Sequence, residues 1–212
     1  MVQSIAISNL TLPELAEARN LRLTNDPRFF SEWQTELPEL SPEETHYLDQ
    51  VQQEYFDQTR SGSISEGLIK LIVVSPLLHL AGFYRRPFEV KLEESVQVEV
   101  TEAKTLWRGR IDALVIKDNF WVLVVEAKNS SFGIDMAIPQ ALGYMLASPH
   151  PAHAAYGLVT NGSSFAFLKL MQNPQPRYDV SEIMLLLPGR NVLHRVLQGM
   201  KQLGKLINRP LA

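Results

Sequence analysis

The chain carries the stretch RIDALVIKDNFWVLVVEAK at residues 110–128, in which two apolar runs are joined by the polar residues KDN. Because β-branched and aromatic residues fill both runs, the pattern predicts a β-hairpin. Asp112 lies inside the first run, and Glu126 and Lys128 end the second. Side chains two residues apart in a strand project from the same face, so Glu126 and Lys128 point together. These three charged residues are candidates for a functional site.

Whether Asp112 joins Glu126 depends on the length of the turn. A two-residue turn would oppose Asp112 to Val125 and leave Glu126 on the other face. A three-residue loop over 117–119 would set Glu126 diagonally beside Asp112, within reach of a shared ion. Asn119 suits the left-handed backbone position that such a loop needs. The sequence allows both registers, and only the three-residue loop gives a shared site.

Length and composition bound the class of protein. A chain of 212 residues with 45% hydrophobic and 20% charged residues is typical of a globular domain. Its apolar runs are far shorter than the ~18 residues of a membrane span, and no signal peptide is visible, so we expect a cytoplasmic protein without a membrane partner. The absence of cysteine excludes disulfides and cysteine-ligated metals. A net charge of −3 means that nucleic acid would need a local patch or a metal ion to bind.

Capping signals predict a helical first part. Thr11 with Glu14, and Ser41 with Glu44, are capping-box pairs at the starts of helices, so the first sixty residues are expected to be helical. The region 61–83 is expected to be one longer helix that is capped at Ser63 and is kinked or restarted at Pro76.

Helices and strands alternate in the second part. We expect a helix over 134–147, a hairpin of strands 154–160 and 164–170 around Asn161-Gly162, and a closing helix over 192–207. Such alternation indicates a layered α/β or α+β domain.

Two carboxylates and a lysine at a strand end are what metal-assisted phosphodiester hydrolysis requires. Mg²⁺ prefers oxygen ligands and usually takes one or two carboxylates. It polarises the phosphate and acidifies a bound water, while a lysine orients that water or stabilises the charged transition state. On their own, Asp112, Glu126 and Lys128 would more simply be a solvated strand end with an ion pair.

The order of motifs resembles the PD-(D/E)XK nuclease superfamily. A strand aspartate, Asp112, is followed by Glu126-Ala127-Lys128 and then by Gln140 and Tyr144 in a Q-x-x-x-Y helix pattern. The region LVTNGSSFAFLKL (158–170) is similar to the nuclease domain of type I restriction R subunits. The closest resemblance is to small stand-alone bacterial relatives of that subunit, common in cyanobacteria.

The resemblance implies an α/β fold with a restriction-endonuclease-like three-layer αβα core, a mixed central sheet and a helical N-terminal extension. The extension would cover residues 1–60 and the nuclease-like domain residues 61–212, as one structural unit. It also implies a set of roles. Asp112, Glu126 and the Ala127 carbonyl would hold Mg²⁺, or Mn²⁺ in its place. Lys128 would position water, Gln140 and Tyr144 would line the site, and Glu66 would reach the metal from the first core helix.

The implied activity is Mg²⁺-dependent cleavage of DNA in restriction or DNA processing. Two alternatives stay open: a nucleic-acid-binding or interaction module without turnover, and a subunit that is active only with a motor or specificity partner. The chain has no G-x-x-x-x-G-K-[ST] phosphate loop for a motor of its own. A homodimer is also open, with Phe29, Phe30 and Trp33 as contact or core residues. For Glu66 with Lys70, an ordinary ion pair on the helix surface is equally consistent with the sequence.

Overall fold

The computed structural model describes residues 3–34, 36–100 and 105–207. In this part of the chain a single mixed sheet contains the strands β1 (Gln3–Ala6), β2 (Arg22–Leu23), β3 (Glu89–Val100), β4 (Thr105–Lys117), β5 (Phe120–Ala127), β6 (Ala155–Thr160), β7 (Ser164–Met171), β8 (Arg177–Val180) and β9 (Met184–Leu185). The helices are α1 (Leu12–Arg19), α2 (Ser31–Gln34), α3 (Pro42–Thr59), α4 (Glu66–Ile69), α5 (Ser75–Leu80), α6 (Ala137–Met145) and α7 (Leu193–Ile207). A π-helical segment, Lys70–Val74, joins α4 to α5.

The strand order is β1-β4-β5-β6-β7-β8-β2, with β3 on β4 and β9 on β7. The pairs β4–β5, β6–β7 and β3–β4 are antiparallel, whereas β5–β6 and β1–β4 are parallel. The parallel β5–β6 pair needs a crossover connection, and α6 lies in it. The predicted α/β class with a mixed central sheet is therefore confirmed.

Two apolar cores lie on the two faces of the sheet. Helices α3, α5 and α7 pack on one face against residues such as Val115 and Val125, while α1 and α6 pack on the other against Leu114 and Val124. Phe29 and Phe30 are buried, as expected if they belong to the core. The side chain of Trp33 lies outside the described residues. None of the described helices is both long and apolar enough to cross a membrane.

Local signals predicted most of the elements well. Both capping boxes are present, at Thr11 with Glu14 and at Ser41 with Glu44. The hairpin of β6 and β7 forms around the turn at Asn161-Gly162. The expected helix over 134–147 is a 3-10 turn followed by α6, and the closing helix is α7.

The expectation of a wholly helical first sixty residues is wrong. Residues 3–6 and 22–23 are strands β1 and β2, and each pairs in parallel with a strand from the second half of the chain. The stretch after Pro27 is a turn, so α2 begins only at Ser31. Tertiary pairing with a distant sheet edge decides these segments, and local propensity does not report it.

The helix expected over 61–83 is shorter and interrupted. It begins after Ser65, whose side chain accepts a hydrogen bond from the Leu68 N–H, so the predicted cap at Ser63 is wrong. Pro76 is tolerated in the first turn of α5, and the π-helical segment directly precedes it. A proline lacks the N–H that would bond to the carbonyl four residues earlier, which explains why the regular helix breaks here.

Candidate active site

The candidate active site lies at a split in the sheet. Because β3 runs along one whole edge of β4, β1 and β5 must share the other edge. There β1 pairs with residues 105–108 and β5 with residues 113–117. The carboxyl ends of β1 and β5 thus approach residues 109–112 from opposite directions. We call this interval of β4, which includes Asp112, the sheet split. Side chains from both helical layers can reach such a point.

In the β4–β5 hairpin, Asp112 and Glu126 lie on the same face of the sheet, but the turn is not the three-residue loop. Its turn has two residues, Asp118 and Asn119, and both have positive φ, of 49° and 68°. Of the two turns that the sequence allows, the two-residue turn is therefore the one that forms. A bulge at Val122 shifts the register by one residue, so that Ala113 pairs with Val125. Continuing this register by one residue opposes Asp112 to Glu126.

Asp112 is nearly buried and accepts two hydrogen bonds. The Ala127 N–H donates to Oδ2 at 2.8 Å, and the Lys70 ammonium donates to Oδ1 at 2.9 Å. The bond from the Ala127 N–H joins the end of β5 to the middle of β4 and fixes the aspartate beside the Glu-x-Lys segment. The carbonyl of Ala127, which the sequence proposed as a metal ligand, belongs to this same junction.

Glu126, Lys128, Gln140 and Tyr144 form one chain of hydrogen bonds. The Lys128 ammonium lies 2.7 Å from Glu126 Oε1 and 2.5 Å from Gln140 Oε1. The Gln140 amide in turn donates to the Tyr144 hydroxyl at 2.8 Å. The lysine is thus held between a strand carboxylate and a helix amide. Residues four apart on α6 share a face, which is why both reach the strand end.

A glycine makes room for the tyrosine. A Cβ atom on Gly109 would lie 2.5 Å from Cε1 of Tyr144 and 3.1 Å from its hydroxyl. Arg110, next to this glycine, hydrogen bonds to the same hydroxyl through its backbone. At the sheet split, α6 and β4 are therefore in close contact. Gly109 was not a candidate from the sequence, because nothing local marks a glycine in a strand as a contact point.

Three carboxylates surround Lys70. Its ammonium lies 3.2 Å from Glu66, 3.1 Å from Glu93 and 2.9 Å from Asp112. Glu66 therefore reaches the site, as expected, but through Lys70. Glu93 was missed. The residues on either side of it pair with Ile111 and Ala113, which places it opposite Asp112, with φ of 54°.

Burial governs the electrostatics of the two strand carboxylates. It raises the pKa of Glu126 to about 8, and the charge of Asp112 adds to the rise while Lys128 opposes it. Burial also raises the pKa of Asp112, against the hydrogen bonds from Ala127 and Lys70. Neighbouring carboxylates that share a buried site disfavour each other's ionisation. A bound cation would relieve both effects.

One oxygen of this site has no partner. Glu126 Oε2 is buried and accepts no hydrogen bond from any residue that the structure describes. An orphaned buried carboxylate oxygen is costly unless a ligand satisfies it. Across residues 3–34, 36–100 and 105–207, no three His, Cys, Asp or Glu side chains are grouped to hold a metal ion. Mg²⁺ often takes only one or two carboxylates and keeps several waters, so Asp112 and Glu126 fit it.

The structure thus brings together Asp112, Glu126, Ala127, Lys128, Gln140, Tyr144 and Glu66. No protein-family model matches the chain, and no curated protein matches it. Its function has to be inferred from this geometry.

Proposed function

We propose that the chain is a metal-dependent nuclease with a restriction-endonuclease-like fold, which hydrolyses DNA phosphodiester bonds. The observation that carries the proposal is the buried Glu126 oxygen that has no partner among the described residues, beside Asp112 and a lysine held in place. Structural ion pairs satisfy their oxygens, whereas this one leaves an oxygen available to a ligand. The order Asp, Glu-x-Lys and Gln-x-x-x-Tyr supports the same class of enzyme.

Asp112, Glu126 and the Ala127 carbonyl would hold the metal, Mg²⁺ or Mn²⁺. A divalent ion in such a site polarises the phosphate and acidifies a bound water. Glu66 would contribute through water or through its contact with Lys70, since its side chain is 40% exposed.

Lys128 is the group that would orient the attacking water. Its side chain is 20% exposed, so it can meet a substrate while Glu126 and Gln140 hold the ammonium. Fixing the ammonium before the substrate arrives lowers the cost of stabilising charge in the transition state.

Gln140 and Tyr144 would keep the lysine in position. The Tyr144 hydroxyl accepts from the Gln140 amide, which leaves Gln140 Oε1 facing Lys128. This orientation also fixes which end of the Gln140 amide contacts the ammonium. Within a cell, the activity would serve restriction or another DNA-processing role, alone, as a homodimer, or with a motor or specificity subunit.

The test is cleavage of supercoiled plasmid and of a labelled single strand with Mg²⁺, Mn²⁺ or EDTA. We expect metal-dependent cutting by the wild-type chain, and a loss of about 100-fold or more in Lys128→Ala and Asp112→Ala. Lys205→Ala, on the exposed side of α7, is the matched control and should cut normally.

Equal cutting by all four proteins would show that the activity arises elsewhere. If the wild-type chain cuts nothing, the assay is repeated with a restriction motor and specificity subunit. Cutting only in that mixture identifies a partner-dependent subunit. DNA binding without cutting in either assay identifies a binding module.

A further inference from the structure

The nuclease proposal leaves the role of Lys70 unassigned. Its ammonium contacts Glu66, Glu93 and Asp112, all within 3.2 Å. These carboxylates come from a helix and from two neighbouring strands. A cation at this point therefore balances charges that the fold has brought together from three elements.

We propose that Lys70 is a built-in counter-ion that competes with the divalent metal for Asp112. The inference rests on the proposed function, because it presumes that Asp112 is a metal ligand. The metal would load only when the ammonium moves away, and the lysine would thereby set the metal concentration that the enzyme needs.

The hydrogen bonds of Asp112 carry the competition. Oδ2 is taken by the Ala127 N–H, and Oδ1 by Lys70 at 2.9 Å. A Mg²⁺ ligand oxygen lies about 2.1 Å from the ion. An ion bound to Oδ1 would therefore lie close to the ammonium on the same oxygen, where two positive charges repel strongly. The metal ion and the Lys70 ammonium therefore compete for Oδ1, and binding of either one weakens binding of the other.

A cavity beside Lys70 can accommodate its displaced side chain. Its side chain lines a cavity of about 290 Å³ together with Leu71, Tyr84 and Leu92, which are largely exposed. Glu93 also lines this cavity and is half exposed, so it can keep the ammonium after Asp112 is released. The displaced lysine would therefore stay paired and hydrated, and moving it costs less than exposing a buried lysine without a partner.

The site can accept further positive charge even with Lys70 in place. Three cations, Lys70, Lys128 and Arg110 (3.7 Å from Glu93), face four acidic side chains, Glu66, Glu93, Asp112 and Glu126, and Glu126 Oε2 still has no partner among the described residues. An ammonium brings one charge and three hydrogen bonds, whereas a divalent ion brings two charges to the same carboxylates. A sufficient metal concentration can therefore displace the lysine.

The test is Mn²⁺ binding to the full chain without DNA, followed by the electron paramagnetic resonance signal of the free ion. The proteins are the wild type, Lys70→Met and Lys70→Arg. Lys91→Met is the matched control, since it removes a lysine of β3 that pairs with Glu94 on the surface at 3.8 Å. We expect at least about tenfold tighter binding in Lys70→Met. Lys70→Arg and Lys91→Met should stay within about threefold of the wild type.

Equal or weaker binding in Lys70→Met would overturn the proposal, because a lysine that merely orients Asp112 would not hinder the metal. If Lys70→Met does not fold, Lys70→Gln replaces it with the same expected and contradicting results. Thermal unfolding gives a second readout, since the variant should gain more stability from Mn²⁺ than the wild type gains.

Cleavage assays separate this inference from the nuclease proposal. Tighter Mn²⁺ binding in Lys70→Met without wild-type cleavage, either alone or with the motor and specificity subunits, supports the counter-ion and contradicts the nuclease. Wild-type cleavage with unchanged Mn²⁺ affinity in Lys70→Met supports the nuclease and contradicts the counter-ion. Absence of both cleavage and Mn²⁺ binding in all variants contradicts both proposals.

Discussion

Two lysine–glutamate pairs, each with one buried member on the central sheet, are built differently. On β7, Lys169 donates to both oxygens of Glu32, at 2.6 and 2.8 Å, and to the Phe29 carbonyl at 2.6 Å. Tyr156 donates to Glu32 as well. All three N–H donors of this lysine and both oxygens of its glutamate are therefore used. We call it the β7 pair.

The pair of Lys128 and Glu126 consists of the same residue types, but its hydrogen bonding is less complete. Only one Glu126 oxygen is bonded, and burial has raised the pKa of the carboxyl to about 8. A complete buried pair joins parts of a fold, and the β7 pair joins the N-terminal segment to the sheet. An incomplete pair retains the free-energy cost of a buried oxygen without a hydrogen bond, and a ligand can remove that cost. The difference between them separates a structural role from a functional one.

The largest expected effect comes from breaking the β7 pair. Lys169→Met would leave the mostly buried Glu32 carboxylate without its cation and the Phe29 carbonyl without its donor, so we expect the free energy of unfolding to fall by about 3–5 kcal/mol. Lys128→Met should cost only about 1 kcal/mol at pH 7, because Glu126, with a pKa of about 8, mostly holds a proton there and is not left as a buried charge. Urea unfolding of both variants at pH 7 measures the difference. Equal losses would mean that the two pairs are alike.

Sequence reasoning succeeded where the signal is local. The capping boxes at Thr11 and Ser41 involve residues three apart, so the chain declares them directly. The alternation of faces placed Glu126 and Lys128 together for the same reason. The motif order predicted the contacts of Asp112 and Gln140 without knowledge of the register.

The parts that were missed depend on distant residues. Strand β1 forms because residues 105–108 offer an edge, and nothing within 3–6 indicates that partner. The bulge at Val122 has no sequence signature, yet it restores the shared face that a two-residue turn alone would have lost. Lys70 lies 42 residues from Asp112 and 23 from Glu93, so helical spacing revealed only its contact with Glu66.

The incomplete pairing of Glu126 should also make the stability of the protein depend on pH. The pKa of Glu126 rises on folding from 4.5 to about 8, so the folded state holds its proton over a range in which the unfolded state has lost it. The stability that this proton supplies is fully present below pH 4.5 and is lost as the pH rises to 8. The loss is at most about 1.4 kcal/mol per pH unit.

Glu126→Gln removes this titration and serves as the control. We expect its unfolding free energy to vary less between pH 4.5 and 8, and to exceed that of the wild type at pH 8 by about 1–4 kcal/mol. The measurement is urea unfolding at several pH values, without divalent metal. Parallel curves for the two proteins would contradict a buried, incompletely paired Glu126.

The smallest expected effect tests how α6 approaches the site. Gly109→Ala places a Cβ 2.5 Å from the Tyr144 ring, so the ring or the strand must shift, at a cost of about 1–3 kcal/mol. Gly67→Ala is the matched control. A Cβ on Gly67 meets nothing within 4 Å, and alanine in helix α4 should stabilise the chain by about 0.5–1 kcal/mol.

Opposite signs in these two variants would locate the tight contact at the sheet split. The shift should also reach Lys128, because Tyr144 holds Gln140 and Gln140 holds the lysine. Gly109→Ala should therefore lower metal-dependent cleavage by more than its loss of stability explains, with the protein fully folded at the assay temperature. A loss of stability with unchanged cleavage would mean that Tyr144 fills space beside the site and does not position the lysine. The β7 pair, on a strand that does not adjoin β4, should keep its stabilising effect in both variants.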